Sequence, residues 1–281
     1  MNLTELKQIW RDNDFRPNRK LGQNFLVDNN VRDNILKAVS PKRDSVLLEI
    51  GAGFGVISLP VSLACGKLFA VEKDPAICAI MRQVLKERDN VELVEADILE
   101  VDICALAGSG VTVFGNIPYC ITTPVIARII EAAPCVQRAF IMVQEEFADR
   151  ITARAGSRDY GSVSCFVQYH ARVKKLFRIS RNSFYPRPNV DSAFLAFSEI
   201  GTPAVSVRDE KLMFAVIHKA FSQRRKKVLN TISHGDFLSV DRPGWARLLG
   251  ESGIDVSLRP ENLSLSDYAR LSDTVTSALA D

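Results

Sequence analysis

Four consecutive residues, Asn116-Ile117-Pro118-Tyr119, set an amide carbonyl, a proline-steered backbone and a flat ring side by side. Pro118 biases Ile117 toward an extended conformation, which aims a backbone carbonyl outward next to the Asn116 side-chain carbonyl. Two adjacent acceptors suit an exocyclic amine whose lone pair is delocalised into an aromatic ring. Each acceptor takes one amine hydrogen, the nitrogen becomes pyramidal, and its lone pair is freed to attack a neighbouring electrophile. Tyr119 supplies a face on which the base carrying that amine can stack after leaving its helix or loop. The same four letters also fit an ordinary polar turn after a strand, so the decision falls to the surrounding elements.

Upstream, the apolar run VLLEI (46–50) leads into Gly51-Ala52-Gly53-Phe54-Gly55. Glycines belong where a backbone turns tightly and a ligand approaches it closely. The third glycine comes one residue early for a dinucleotide fingerprint, so a nicotinamide enzyme, a methyltransferase and a plain tight turn all stay open. Glu72 ends the next strand-like run, where a carboxylate can accept both hydroxyls of a ribose, and Asp97 follows the third, where it can accept from an adenine amine. Either acid could instead be a simple helix cap. Together they converge outside the carboxyl ends of the strands, where open α/β sheets bind ligands, and imply a nucleoside-bearing cofactor. Asn24 and Leu26, in LGQNFL, are candidates for an N-terminal flap over that crevice.

The elements that must hold these groups alternate. Short apolar runs at 46–50, 68–72, 91–94, 111–114 and 139–143 are separated by helical patterns at about 56–64, 74–88, 122–132 and 145–155. That rhythm predicts a parallel sheet with crossover helices, its strands covered on both faces. RVKKLFRIS and SAFLAFS, joined by the proline-rich stretch 183–190, predict a hairpin at one sheet edge. Gly201-Thr202-Pro203 reads as a linker, and 208–233, 241–250 and 265–279 as helices, with a capping box at Ser264–Asp267. The expected organisation is an N-terminal extension (1–20) without a structural reading, an α/β domain (21–200) and a small all-α C-terminal domain (201–281).

Composition narrows the class further. The charged N-terminus has no apolar stretch suited to secretion or membrane insertion, so a soluble cytoplasmic protein is expected. Six cysteines stand at 65, 78, 104, 120, 135 and 165 without metal-ligand spacing, and only three histidines accompany them. The expectation is buried free thiols and no metal site. A net charge of +3 argues weakly for a polyanionic partner, but the basic residues cluster at 172–181 and in the uninterrupted run Arg224-Arg225-Lys226-Lys227. Transfer from a sulfonium requires placement of the reactants rather than an activated side-chain nucleophile, which fits the scarcity of such constellations.

The segments LGQNFL (21–26), LEIGAGFG (48–55), VEKD (71–74), EAD (95–97), GNIPY (115–119), FYPRPNVDSA (184–193) and FSQRRK (221–226) together resemble the bacterial small-subunit ribosomal RNA adenine dimethyltransferases, over about residues 16–270. The resemblance implies a class I, Rossmann-like methyltransferase core with a helical C-terminal domain, acting as a monomer without metal. It implies S-adenosyl-L-methionine held at Asn24, Leu26, Gly51, Gly53, Glu72, Asp97 and Asn116. The substrate would be two adjacent adenosines in a hairpin loop near the 3′ end of 16S rRNA, within a small subunit or a late precursor. Asn116, Ile117, Pro118 and Tyr119 would carry the transfer. Phe184 would sandwich the base against Tyr119, and Arg224, Arg225 and Lys226 would meet RNA phosphates. Cys120 stands where the family often has Asn, and Glu145 where Lys is common. A large-subunit adenine methyltransferase shares the letters NIPY. A nicotinamide oxidoreductase and a non-catalytic assembly factor are the more distant alternatives.

Overall fold

The computed structural model describes residues 1–18, 21–223 and 225–280, the side chain of Ala280 excepted. The chain divides into two compact units, residues 1–148 with 173–201, and residues 149–172 with 202–281.

The first unit begins with α1 (Leu3–Asp12), a helix closed at its start by a reciprocal Asn2/Glu5 capping box, followed by β1 (Phe25–Leu26) and α2 (Asn29–Val39). Next come β2 (Val46–Ile50), α3 (Ser58–Ser62), β3 (Lys67–Glu72), α4 (Pro75–Val84), β4 (Val91–Glu95), α5 (Ile103–Ala107), β5 (Val111–Asn116), α6 (Thr122–Glu131) and β6 (Val136–Gln144). After α7 (Glu145–Thr152) and α8 (Ser162–His170), the strands β7 (Arg172–Ile179), β8 (Phe184–Tyr185) and β9 (Ser192–Ser198) complete the unit.

Seven strands form one sheet in the order β4-β3-β2-β5-β6-β9-β7, and β1 pairs with β8 in a separate antiparallel ribbon. The pairs among β4, β3, β2, β5 and β6 are parallel, whereas β9 runs antiparallel to β6. β7 and β9 therefore occupy the expected hairpin edge. Burial explains the apolar runs: Leu47, Leu48, Leu68, Ala70, Val113 and Phe114 are each at most 1% exposed. The chain reverses direction across the sheet between β2, which leads outward to β3 and β4, and its other neighbour β5. The crevice at such a switch point is where strand-end loops can converge on a ligand.

The second unit holds α8 together with α9 (Glu210–Ala220), α10 (Val228–Ile232), α11 (Arg242–Glu251) and α12 (Leu265–Ala280). Trp245, Tyr268, Met213 and Ile217 form its core with Tyr160, Cys165 and Tyr169. That packing corrects the single boundary at 200/201, because residues 149–172 contribute core side chains to the helical unit. The Ser264/Asp267 box caps α12 as its spacing indicates, with Ser264 N donating to Asp267 at 2.8 Å and Asp267 N to Ser264 Oγ at 3.2 Å.

The cysteines need a second correction. Cys104, in α5, and Cys135, just before β6, form a disulfide, while Cys65, Cys78, Cys120 and Cys165 are free. Their separation of 31 residues hides the pairing, since only the parallel β5–β6 crossover brings the two ends together. Cys120 is exposed, unlike the other three thiols. Among the described residues no helix is long and apolar enough to cross a membrane.

Candidate active site

Asn24, Leu26, Gly51, Gly53, Glu72, Asp97 and Asn116 line one cleft of about 260 Å³ in the first unit, together with Ile117, Pro118 and Tyr119. The glycine turn is built for close approach. Gly51 and Gly53 have φ of +73° and +54°, and a Cβ on Gly51 would lie 3.3 Å from the Asn116 carbonyl oxygen. A Cβ on Gly53 would make ordinary van der Waals contact with the Phe25 ring at 3.5 Å, so it is the left-handed backbone rather than lack of space that favours glycine there. Such a cradle fits a nucleoside cofactor laid along the backbone.

Behind the turn, Phe54 packs on Phe25 and Phe15, with ring centroids 4.8 and 5.0 Å apart, and Trp10 of α1 reaches Phe25 and Tyr185. The N-terminal segment, which has no reading from sequence, is thus the apolar wall behind the glycine turn.

Three carboxylates face the cleft. Glu72 Oε1 accepts from the N–H groups of Lys73 and Asp74, both at 2.9 Å, and Oε2 accepts from Gly53 N at 3.0 Å. A carboxylate offers about four acceptor positions, so capacity remains on Oε2 for a ligand hydroxyl. Burial raises the Glu72 carboxyl above its ordinary range, opposed by these three N–H donors. Asp97 is the converse case: a 2.6 Å ion pair with Lys73 Nζ holds its pKa down, and its other oxygen accepts from Leu99 N at 3.0 Å.

Glu49, absent from the residues singled out in the sequence, is the third. It is 2% exposed and accepts from Ser58 Oγ at 2.5 Å. Burial pushes its pKa up to about 8, against the Ser58 bond and with help from the charge of Glu72. The signal was available: an acid one residue before the end of an otherwise apolar strand must be satisfied from a neighbouring element.

The turn after β5 has a defined hydrogen-bond pattern. Asn116 Nδ2 donates to the Asn24 carbonyl at 3.1 Å, which uses one of the amide's two N–H donors on the flap and fixes which side of the amide presents Oδ1 as acceptor. Asn24 in turn donates to Gly22 O at 2.9 Å. Ile121 N and Thr122 Oγ1 close the turn on the carbonyls of Pro118 and Tyr119, at 3.1 and 3.2 Å, so the Ile117 carbonyl lies outside these bonds. Ile117 itself is buried. The Tyr119 hydroxyl shares a 2.8 Å hydrogen bond with Ser192 Oγ at the start of β9, and burial raises its pKa.

The placement of Phe184 overturns its expected role. Its side chain is 3% exposed, packed with Leu26, Ile179 and Phe194, and it does not line the cleft. The β1–β8 pairing turns it inward, opposite Leu26. Its neighbour Tyr185 is half-buried against Trp10, with Lys7 Nζ 5.0 Å from the ring centre. Cys120 lines the same cleft as Tyr119. Glu145 pairs with Lys175 at 3.3 Å and Arg178 at 2.9 Å, and Asp191 also holds Arg178, so part of the 172–181 basic run is internally neutralised. Arg225 and Lys226 are exposed in the second unit, and Arg224 lies outside the described residues.

Comparison with known proteins bears on this geometry. The family model described as ribosomal RNA adenine dimethylase matches residues 14–243. A ribosomal RNA small subunit methyltransferase A from Pelotomaculum thermopropionicum is 37% identical, covering 97% of this chain and 96% of that protein, and one from Alkaliphilus oremlandii is 34% identical over the same shares. Among solved structures, a dimethyladenosine transferase from Plasmodium falciparum superposes with a TM-score of 0.72 at 22% identity, covering 88% of this chain and 95% of that one. The 23S rRNA methyltransferase ErmE gives 0.69 at 22% identity, with 90% and 100% covered. These two likenesses establish the Rossmann-like methyltransferase fold with its added antiparallel strands, and the match along the sequence establishes more: the chain belongs to the ribosomal RNA adenine dimethylase family.

Proposed function

We propose that this chain is an S-adenosyl-L-methionine-dependent methyltransferase that dimethylates the exocyclic amines of two adjacent adenosines in a hairpin loop near the 3′ end of 16S rRNA, acting as a cytoplasmic monomer on the small subunit or a late precursor. The observation that carries this reading is the orientation of the Asn116 amide. With Nδ2 committed to Asn24, Oδ1 is an acceptor beside the glycine turn, which is what an incoming amine requires.

The residues present fit the cofactor: Gly51 and Gly53 make room along the backbone, Glu72 retains acceptor capacity for a ribose, and Asp97 is an ionised acceptor for an adenine amine. When bound there, S-adenosyl-L-methionine supplies the electrophilic methyl group. The chain's own part is placement. Asn116 and the Ile117 carbonyl take the two amine hydrogens, Tyr119 holds the base by its face, and the flap at Asn24–Leu26 covers the cleft. Holding two reactants in register can supply roughly 7–11 kcal/mol of the barrier lowering without any covalent step on the protein. Arg225 and Lys226, with Arg224, provide phosphate contacts.

Methyl transfer to purified unmethylated small subunits, set against large-subunit RNA, tests the substrate. Label confined to large-subunit RNA refutes the assignment. Asn116→Ala should nearly abolish turnover while RNA binding persists, and unchanged turnover would contradict the role given to that amide.

A further inference from the structure

We propose that Ser192 is a positioning residue for the target base, acting through Tyr119; the inference rests on the methyltransferase reading above. Ser192 is fully buried and opens β9, opposite Gln144 at the end of β6. Its hydroxyl lies 2.8 Å from the Tyr119 hydroxyl. A buried hydroxyl must find a partner, and this one finds the ring at the mouth of the cleft.

The anchor is itself rigid. Asp191, the preceding residue, accepts from Glu145 N through its carbonyl at 3.0 Å and from Arg181 N through its carboxylate at 2.9 Å, and it pairs with Arg178. Tyr119, by contrast, belongs to a single turn of 3₁₀ helix (Tyr119–Ile121) after β5, where the backbone alone leaves the ring free to rotate about two bonds. Tethered at Cα by the turn and at the hydroxyl by Ser192, the ring has its long axis held in one direction, and only rotation about that axis is left to the packing around it. A base stacked on it inherits that placement relative to Asn116.

This assigns a function to the serine of FYPRPNVDSA that differs from a purely structural role in the hairpin. Ring mobility costs little while the site is empty and becomes costly when a purine amine must be aligned, because misplacement by about an ångström can lower turnover as much as a hundredfold.

The test is a double-mutant cycle with an independent spectroscopic readout. Ser192→Ala should lower kcat/KM for unmethylated small subunits about tenfold, while calorimetry shows an unchanged Kd for S-adenosyl-L-methionine. Ser192→Thr, which keeps the hydroxyl, should retain activity. Tyr119→Phe should match Ser192→Ala, and the double variant should be no worse than either single one. In protein carrying 13Cζ-labelled tyrosine, the resonance lost in Tyr119→Phe should shift in Ser192→Ala. Wild-type kinetics in Ser192→Ala, multiplied losses in the double variant, or an unshifted Tyr119 resonance would each overturn the proposal. Transfer by the wild-type enzyme to large-subunit RNA alone would overturn the substrate reading instead, and the Ser192 effect would then be measured on that RNA.

Discussion

Gly115 pairs with Ile50 at the end of β2 and directly precedes Asn116, so Gly115→Ala should disturb the glycine turn and the Asn116–Tyr119 turn at once. An ideal Cβ there would lie 2.4 Å from the Ile50 carbonyl oxygen and 2.9 Å from Ile50 Cβ. Neither neighbour can swing away, since Ile50 and Gly115 are partners in the parallel β2–β5 ladder. Restoring the first distance to 3.0 Å, below which real Cβ atoms essentially never approach, requires the strands to part by about 0.6 Å. Overpacking of this kind costs about 1–3 kcal/mol. For a domain of this size each kcal/mol lowers Tm by roughly 2–4 °C, so a fall of about 2–12 °C is expected. Asn116 follows directly, and moving it by half an ångström should reduce kcat about tenfold. Gly250→Ala is the control: the site is exposed in α11, its Cβ would meet nothing within 4 Å, and loss of backbone freedom in the unfolded chain should leave Tm equal or slightly higher. Calorimetric melting and methyl-transfer kinetics on both variants read the result. A Gly115→Ala protein that melts and turns over like wild type would refute the idea that the strand spacing fixes the turn.

Two further outcomes are expected. Denatured, unreduced protein should present four titratable thiols, from Cys65, Cys78, Cys120 and Cys165, and six after reduction; breaking a link across 31 residues should cost roughly 3–4 kcal/mol of stability, and six thiols before reduction would refute the pairing. Arg225→Ala should weaken RNA binding and reduce the slope of log affinity against log salt by about one, and an unaltered slope would return this exposed residue to solvated surface.

What the sequence made legible follows from the periodicity of its elements. Fully covered parallel strands read as apolar runs, and residues at their carboxyl ends are forced to one side of the sheet, so Glu72, Asp97 and Asn116 could be placed together from spacing alone. Partners supplied by distant elements could not. Ser192 lies 73 positions from Tyr119, and the two meet only because β9 inserts antiparallel beside β6. Phe184 looked like a free loop aromatic until its pairing with Leu26 turned it inward. Trp10 and Phe15 belong to a polar, charged segment whose aromatic face has meaning only against Phe25 and Phe54. Residues 149–172 likewise join the helical unit through three core side chains, Tyr160, Cys165 and Tyr169, that no linker signal marks.

Electrostatics of the cleft lead to one more outcome. Glu49, Glu72 and Asp97 line it, and Lys73 is the sole cation among the described lining residues. Lys73 is spent on Asp97, so the cleft suits a cationic ligand better than the phosphates of a substrate. Glu49 has a pKa of about 8 against an ordinary 4.5, so the folded, ligand-free protein carries a proton there that the unfolded chain releases as pH rises through that interval. The sign is fixed: this group makes stability fall with rising pH between about 4.5 and 8, by at most about 1.4 kcal/mol per pH unit. Glu49→Gln removes the titration, so its Tm should gain on wild type steadily from pH 5 to 8. A bound sulfonium and ammonium would favour the charged carboxylate, so binding of S-adenosyl-L-methionine near pH 7 should release part of a proton from wild type and less from Glu49→Gln. Calorimetry in buffers of different ionisation enthalpy measures that release directly. Parallel Tm profiles for the two proteins, or equal proton release, would show that Glu49 is already ionised in its buried position and that burial does not govern its charge.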